Sequence, residues 1–202
     1  MIAIIDYDVG NLKNVYTALK DVGLEGVITR DPRVVDNAEA IILPGVGAFS
    51  DAMDHLRQFD LIDCLNKNVQ SGKTLMGICL GMQVLFDKSY EDGKWTGLGY
   101  IPGEIVKFDA PGLKIPHMGW NNLIINRDDP LVKGIGGEDF VYFVHSYYAQ
   151  PKNFDDVVAY ADYSVKVPGI VRKENVIGMQ FHPEKSSKVG TQLLMNFKEN
   201  LK

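Results

Sequence analysis

Short, uniformly apolar runs alternate with amphipathic stretches through the first half of the chain. Residues 2–5 (IAII) read as a buried strand. Leu12, Val15, Leu19 and Val22 follow at helical spacing, and Gly23 is placed to stop that helix. Residues 40–43 form a second apolar run, ending at Pro44-Gly45. Met53, Leu56, Leu61, Leu65 and Val69 predict a further helix or a pair of helices, closed by Ser71-Gly72. Residues 74–78 are the next strand, and the apolar stretch after Gly81 has helical character. Apolar strands alternating with such helices predict an α/β protein with a mainly parallel sheet covered on both faces.

The second half changes character. Strand-like runs occupy 105–108, 123–125, 141–149, 157–163, 169–172 and 176–181. Lys173-Glu174-Asn175 reads as a hairpin turn joining the last two. A closing helix is expected from about Lys188, with Val189, Leu193, Phe197 and Leu201 on one face. No repeat, low-complexity tract or linker divides the chain, so residues 1–202 read as a single domain.

Composition narrows the partners. The chain is 46% apolar and 23% charged, the balance of a soluble globular protein. No apolar run approaches the length that spans a bilayer. The first residues carry no basic region and no cleavage-like site, so no secretory signal is expected. Two cysteines make no disulfide framework, and a cytoplasmic location is expected. Net charge is −5 with scattered basic residues, which argues against a nucleic-acid partner.

One of the two cysteines has an unusual setting. Cys79 follows the strand 74–78 and lies two residues from glycine on either side, Gly77 and Gly81. A nucleophile in an α/β fold often occupies a tight strand-to-helix turn, where crowding requires small neighbours. A helix N-terminus there also favours thiolate over thiol. For an arbitrary cysteine a buried structural role is the better reading, and Cys64, within a helical stretch, fits it. The glycine context sets Cys79 apart.

A thiolate nucleophile needs a base. Of four histidines, His55 lies in a polar helical stretch and reads as surface, and His117 lies in a loop-like segment. His145 sits in an aromatic strand and fits a satisfied core histidine. His182 ends a strand and precedes Pro183, which holds it extended. Across an extended His182-Pro183-Glu184, alternate residues point the same way, so Glu184 is placed to orient the imidazole. That is Cys–His–acid logic. A metal reading of His182 and Glu184 lacks a third clustered ligand.

Acyl chemistry also needs donors for the developing oxyanion. "ILPGVGAF", 42–49, ends a buried strand as Cys79 does, and Gly45 and Gly47 let backbone N–H groups approach a ligand. Two decoys fall away. "SGKT", 71–74, has Lys67 where a phosphate loop needs glycine, and a strand follows it. "DYDVGNL", 6–12, holds one glycine where a dinucleotide fingerprint needs three. No cofactor site is expected.

Gly77-Ile78-Cys79-Leu80-Gly81-Met82-Gln83 with His182-Pro183-Glu184 resembles the class I, triad-type glutamine amidotransferases. "PGVGAF" (44–49), "GLGYIPG" (97–103), "PHMGWN" (116–121), "YFVHSYY" (142–148) and "FHPEKSS" (181–187) are similar to the glutaminase subunits of imidazole glycerol phosphate synthases. The resemblance spans essentially the whole chain. It implies a flavodoxin-like fold with added antiparallel strands in the second half. It implies Cys79 as nucleophile, His182 as base and Glu184 as its orienting partner. The backbone of Val46-Gly47 and the N–H of Leu80 would form the oxyanion hole, and Gly47, Gln83, Ser146 and Tyr147 would hold L-glutamine. Trp120, Tyr142 and Lys185 would face a (β/α)₈-barrel cyclase subunit in a heterodimer. That partner would take ammonia through a channel and make imidazole glycerol phosphate and an aminoimidazole carboxamide ribotide. Neither metal nor cofactor is implied. The departure from the family pattern is Asp8-Val9, where a small residue is expected, and the sequence places it away from the triad. Alternatives are an anthranilate- or guanylate-type glutaminase subunit, a silent regulatory module, and a stand-alone cysteine hydrolase.

Overall fold

Strands with apolar side chains on both faces need cover on both faces, and the order of elements supplies it. The computed structural model describes residues 1–109 and 112–201. Strand β1 (Ile2–Ile5) leads into α1 (Leu12–Asp21), β2 (Gly26–Thr29), α2 (Pro32–Asn37), β3 (Ala40–Gly45), α3 (Phe49–Gln58), α4 (Leu61–Gln70), β4 (Thr74–Cys79) and the short α5 (Leu80–Gln83). Then come β5 (Phe86–Ser89), β6 (Trp95–Thr96), β7 (Ile101–Lys107), β8 (His117–Asn122), β9 (Ile124–Ile125), β10 (Phe140–His145) and β11 (Tyr147–Pro151). The chain closes with β12 (Val157–Asp162), β13 (Lys166–Lys173), β14 (Val176–Met179) and α6 (Ser187–Glu199).

Eight strands form the main sheet in the order β2-β1-β3-β4-β14-β13-β12-β9. The first five are parallel, and the remaining pairings are antiparallel. With β14 in fifth place this is the flavodoxin-like order, whose ligands bind beyond the carboxyl ends of the strands. Strand periodicity divides the core. Ala3, Ile5, Ile41, Leu43 and Leu75 meet α3 and α4, while Ile2, Ile4, Ile42, Met76 and Ile78 meet α1 and α6. A four-stranded sheet, β11-β7-β5-β6, packs on the α3–α4 side, and the pair β10-β8 lies on the α6 side.

Most predicted elements form where the pattern put them. The helical pair divides at Asp60, which takes a left-handed backbone (φ 54°). The hairpin turn forms with Glu174 at φ 52°. Four readings change. The stretch after Gly81 stays helical for only four residues before β5 begins. Met82, Val84, Leu85 and Phe86 are all fully buried, so no one-sided period exists there to read. Residues 141–149 are not one strand: β10 and β11 belong to different sheets, and the chain passes at Ser146 from one side of the main sheet to the other. His117 lies in β8, not a loop. His55 is half-buried, with Nδ1 2.9 Å from the Tyr7 carbonyl, rather than a surface residue. The sequence reading also passed over β2 and α2. The first is a half-exposed edge strand, and the second has the Asp31 cap and first-turn Pro32 that could have disclosed it.

Candidate active site

Cys79 ends β4 with φ 55° and ψ −112°. Such a backbone at a non-glycine residue costs about 1–3 kcal/mol and persists only where packing dictates it. Three glycines make the packing possible. A Cβ on Gly81 would overlap the Leu43 carbonyl oxygen, and one on Gly77 would overlap the Gly81 carbonyl. A Cβ on Gly45, which pairs with Cys79, would lie 2.6 Å from the Tyr7 hydroxyl and 2.9 Å from the Gly81 nitrogen. The sulfur is thereby presented at the sheet's carboxyl edge on a residue only 7% exposed.

His182 follows β14 on the neighbouring strand. It is extended (φ −100°, ψ 97°), as a residue before proline should be. Glu184 reaches it differently from the expectation. Pro183–Lys185 is a 3₁₀ turn, not an extended segment, closed by Lys185 N–H donating to the His182 carbonyl at 3.0 Å. The turn brings Glu184 Oε1 to 2.7 Å from His182 Nδ1, with both side chains buried. Nε2 is buried and has no hydrogen-bond partner within standard geometry among the described residues. Burial opposes a charged imidazole, but Cys79 and then Glu184 outweigh it and raise the His182 pKa to about 9. The protonated form of the ring is thereby favoured. Ser186 was not singled out from sequence; its buried hydroxyl accepts from Tyr142 N–H (3.0 Å) and donates to the His182 carbonyl (2.6 Å).

A cleft of about 330 Å³ opens on the sulfur. Val46, Gly47, Cys79, Leu80, Gln83, Ser146, Tyr147 and His182, all named from sequence, line it together. Gly47 has φ 102°, a conformation suited to glycine. The Gln83 Nε2 donates to the Tyr147 carbonyl and to Gln180 Oε1, each at 3.0 Å. Glu91 also lines the cleft. Burial raises its pKa, and it accepts from the Phe49 N–H at 2.7 Å. It sits in a polar "YEDGK" turn that reads as solvated, so sequence carried no signal for it. Asp8-Val9 lies beside the loop after β3. The Val9 side chain lies 3.9 Å from where a Gly47 Cβ would stand, and Gly10 packs on Pro44-Gly45. The departure from the family pattern therefore packs against the Pro44–Gly47 segment, because β1 and β3 are paired neighbours.

Two neutral histidines continue the network. His145 Nδ1 donates to the Tyr147 carbonyl at 2.7 Å, so its Nε2 accepts from His117 Nδ1 at 2.9 Å. His117 Nε2 in turn accepts from Asn121 at 3.2 Å. Burial pushes His117 down to about 4 and His145 to about 3. The satisfied-core reading of His145 fits this environment. Below pH 6.5 the unfolded chain protonates these rings while the folded one does not, so stability falls as pH drops toward 4. Urea unfolding between pH 7 and 5 should show this slope. In His117→Asn it should flatten by up to about 1.4 kcal/mol per pH unit; an unchanged slope contradicts the neutral pair.

The remaining sequence-named residues lie outside the cleft. Trp120 is 54% exposed and meets the half-buried Tyr142 edge-on at 6.0 Å, and Lys185 is exposed. Met118 and Phe140 extend this apolar face. Cys64 is buried beside Asn68, away from the cleft. Among the described residues no cluster of three or more His, Cys, Asp or Glu could hold a metal, and no helix is long and apolar enough to cross a membrane.

A flavodoxin-like sheet presenting a strained thiol and a buried imidazole–carboxylate pair along its carboxyl edge defines an α/β enzyme of the cysteine-nucleophile class. The family described as "Glutamine amidotransferase class-I" matches residues 3–200. An imidazole glycerol phosphate synthase subunit HisH of Caldanaerobacter subterraneus subsp. tengcongensis is 48% identical over 202 residues, covering 100% of this chain and 99% of the relative. The HisH subunit of a Bacillus cereus strain is 50% identical over 197 residues, covering 98% and 93%. In fold, the structure of PurLQS from Thermotoga maritima matches with a TM-score of 0.78 at 22% identity, covering 100% of this chain and 98% of that one. The chain belongs to the class-I glutamine amidotransferase family and, within it, stands among the HisH subunits.

Proposed function

We propose that this chain, acting in the cytoplasm as one domain over 1–202, is the glutaminase subunit of an imidazole glycerol phosphate synthase. It hydrolyses glutamine to glutamate and ammonia for a (β/α)₈-barrel cyclase partner. The observation that carries this reading is the buried His182–Glu184 pair, 2.7 Å apart, whose imidazole lines the same cleft as the Cys79 thiol.

The Cys79 sulfur attacks the side-chain carboxamide of glutamine, and negative charge develops on its oxygen. N–H groups of the Val46-Gly47 backbone and of Leu80 stabilise that oxyanion. The tetrahedral adduct collapses to a glutamyl thioester as His182 gives its proton to the departing nitrogen, which leaves as ammonia. His182, held by Glu184, then takes a proton from water. The resulting hydroxide adds to the thioester, and collapse releases glutamate and the thiolate. Gly47, Gln83, Ser146 and Tyr147 hold the substrate, and the Glu91 carboxylate suits its α-ammonium group.

The acceptor's chemistry belongs to the partner. Ammonia released into water at neutral pH is mostly protonated and a poor nucleophile, so delivery through a channel avoids its loss. Trp120, Tyr142 and Lys185 are assigned to the partner face. The flexibility of Gly45 and Gly47 makes a peptide flip in "PGVG" cheap, and the active oxyanion geometry is assigned to the complex with acceptor bound. The isolated chain should therefore hydrolyse glutamine at least about 100-fold more slowly than the complex with a barrel subunit and acceptor nucleotide, a loss on the scale of one oxyanion donor. Equal rates overturn the coupling, and no glutaminase activity in either overturns the function.

A further inference from the structure

The register of the main sheet places one side chain against the nucleophile that the mechanism above does not use. Met179 pairs with Ile78, so the next residue, Gln180, falls beside Cys79, opposite Gly45 on the other flank. Gln180 is fully buried. Its Nε2 lies 4.0 Å from the Cys79 sulfur, and its Oε1 accepts from Gln83 Nε2 at 3.0 Å.

The direction of that carboxamide follows from hydrogen-bond bookkeeping that begins at a backbone oxygen. The Tyr147 carbonyl can only accept, so the group of Gln83 facing it is the NH₂. The second hydrogen of the same NH₂ goes to Gln180, which must present its oxygen. The NH₂ of Gln180 is then left facing the sulfur. A buried donor with no acceptor is costly, and among the described residues the sulfur is the acceptor within its reach. A thiolate accepts more strongly than a thiol, because hydrogen bonds to charged groups are the stronger ones.

We propose that Gln180 is a positioning residue for the nucleophile: its carboxamide, oriented through Gln83, donates to the Cys79 sulfur and holds it as thiolate. The same contact assists the second half-reaction, where sulfur departs from the thioester carrying the charge back. The inference rests on Cys79 being the nucleophile, and its test separates the two ideas. The full chain and its Gln180→Leu and Gln180→Glu variants are alkylated with iodoacetamide from pH 5 to 10. Labelling is followed by mass spectrometry on the Cys79 peptide, with circular dichroism to confirm folding.

In the unsubstituted chain, where the Gln180 carboxamide donates to the sulfur, labelling is expected to be rapid at pH 7. In Gln180→Leu the midpoint should move up by about one pH unit, the tenfold equivalent of a lost bond to a charged acceptor. In Gln180→Glu it should move further, because a carboxylate then faces the sulfur. Tyr7, Glu91, His145, His182 and Glu184, the other ionisable groups around the thiol, are the same in all three proteins. If Gln180→Leu does not fold, Gln180→Met takes its place, and Gln180→Glu preserves shape throughout. Midpoints that coincide in the folded variants overturn the role of Gln180. An unsubstituted chain whose labelling rises only near the ordinary thiol value of about 8.5 overturns the nucleophile reading itself.

Discussion

Cys79→Ala is expected to lose glutaminase activity by roughly 10⁴-fold or more, the scale seen when a covalent nucleophile is removed. The measurement is glutamate release by the variant in complex with its cyclase partner. The fold should survive, because the lost atom is a single sulfur at the sheet edge. Cys79→Gly makes a paired prediction about strain. At φ 55° both cysteine and alanine sit in an unfavourable backbone region, whereas glycine does not. The glycine variant should be equally inactive, yet more stable than the alanine variant by about 1 kcal/mol in urea unfolding. A near-normal rate in Cys79→Ala ends the mechanism. A glycine variant less stable than the alanine one shows that the turn stores no strain.

Gly81→Ala should cost more stability than any other single methyl added at this site. The new Cβ would overlap the carbonyl oxygen of Leu43. That oxygen belongs to β3, which pairs with β1 up to Ile42 and with β4 through Leu43 and beyond, and it has little room to retreat. We expect a loss of more than about 4 kcal/mol, above the usual roughly 1–3 kcal/mol of overpacking, because the atom struck is a strand carbonyl and not a movable side chain. In a chain of this size that lowers the melting temperature by about 10 °C or more. Gly136→Ala is the control, because nothing lies within 4 Å of its added Cβ. It should shift stability by no more than about 0.5 kcal/mol. Comparable melting temperatures for the two variants contradict the close approach of β3 to the turn.

Much of the architecture was legible because its causes are local. The runs at 2–5, 40–43 and 75–78 are apolar throughout, which only a sheet covered on both faces permits. Elsewhere, patterning misled for identifiable reasons. Residues 82–86 are buried on every side, so helix and strand leave the same trace there. Residues 141–149 keep an alternating pattern through Ser146 although the chain changes sheets at that point. The same crossing carries Ser146 and Tyr147 into the cleft.

The site divides along the same line. Cys79 stood out through Gly77 and Gly81, and His182 through Pro183 and Glu184, because sterics within a few residues leave those marks. Glu91 and Ser186 left none, since a polar residue in a turn looks alike whether it faces water or a cleft. The contact of Val9 with the loop after β3 left no trace either, since the two are more than thirty residues apart in sequence.

By itself the sequence determined the alternation of buried strands and helices, the cramped turn at Cys79, and the family to which both belong, because neighbouring residues impose these through backbone sterics and burial period. Only the tertiary structure decided which distant groups meet: parallel register set Gln180 beside the sulfur, and sheet crossing set Tyr147 over Gln83. Register is a property of two strands at once, and no single stretch of chain contains it.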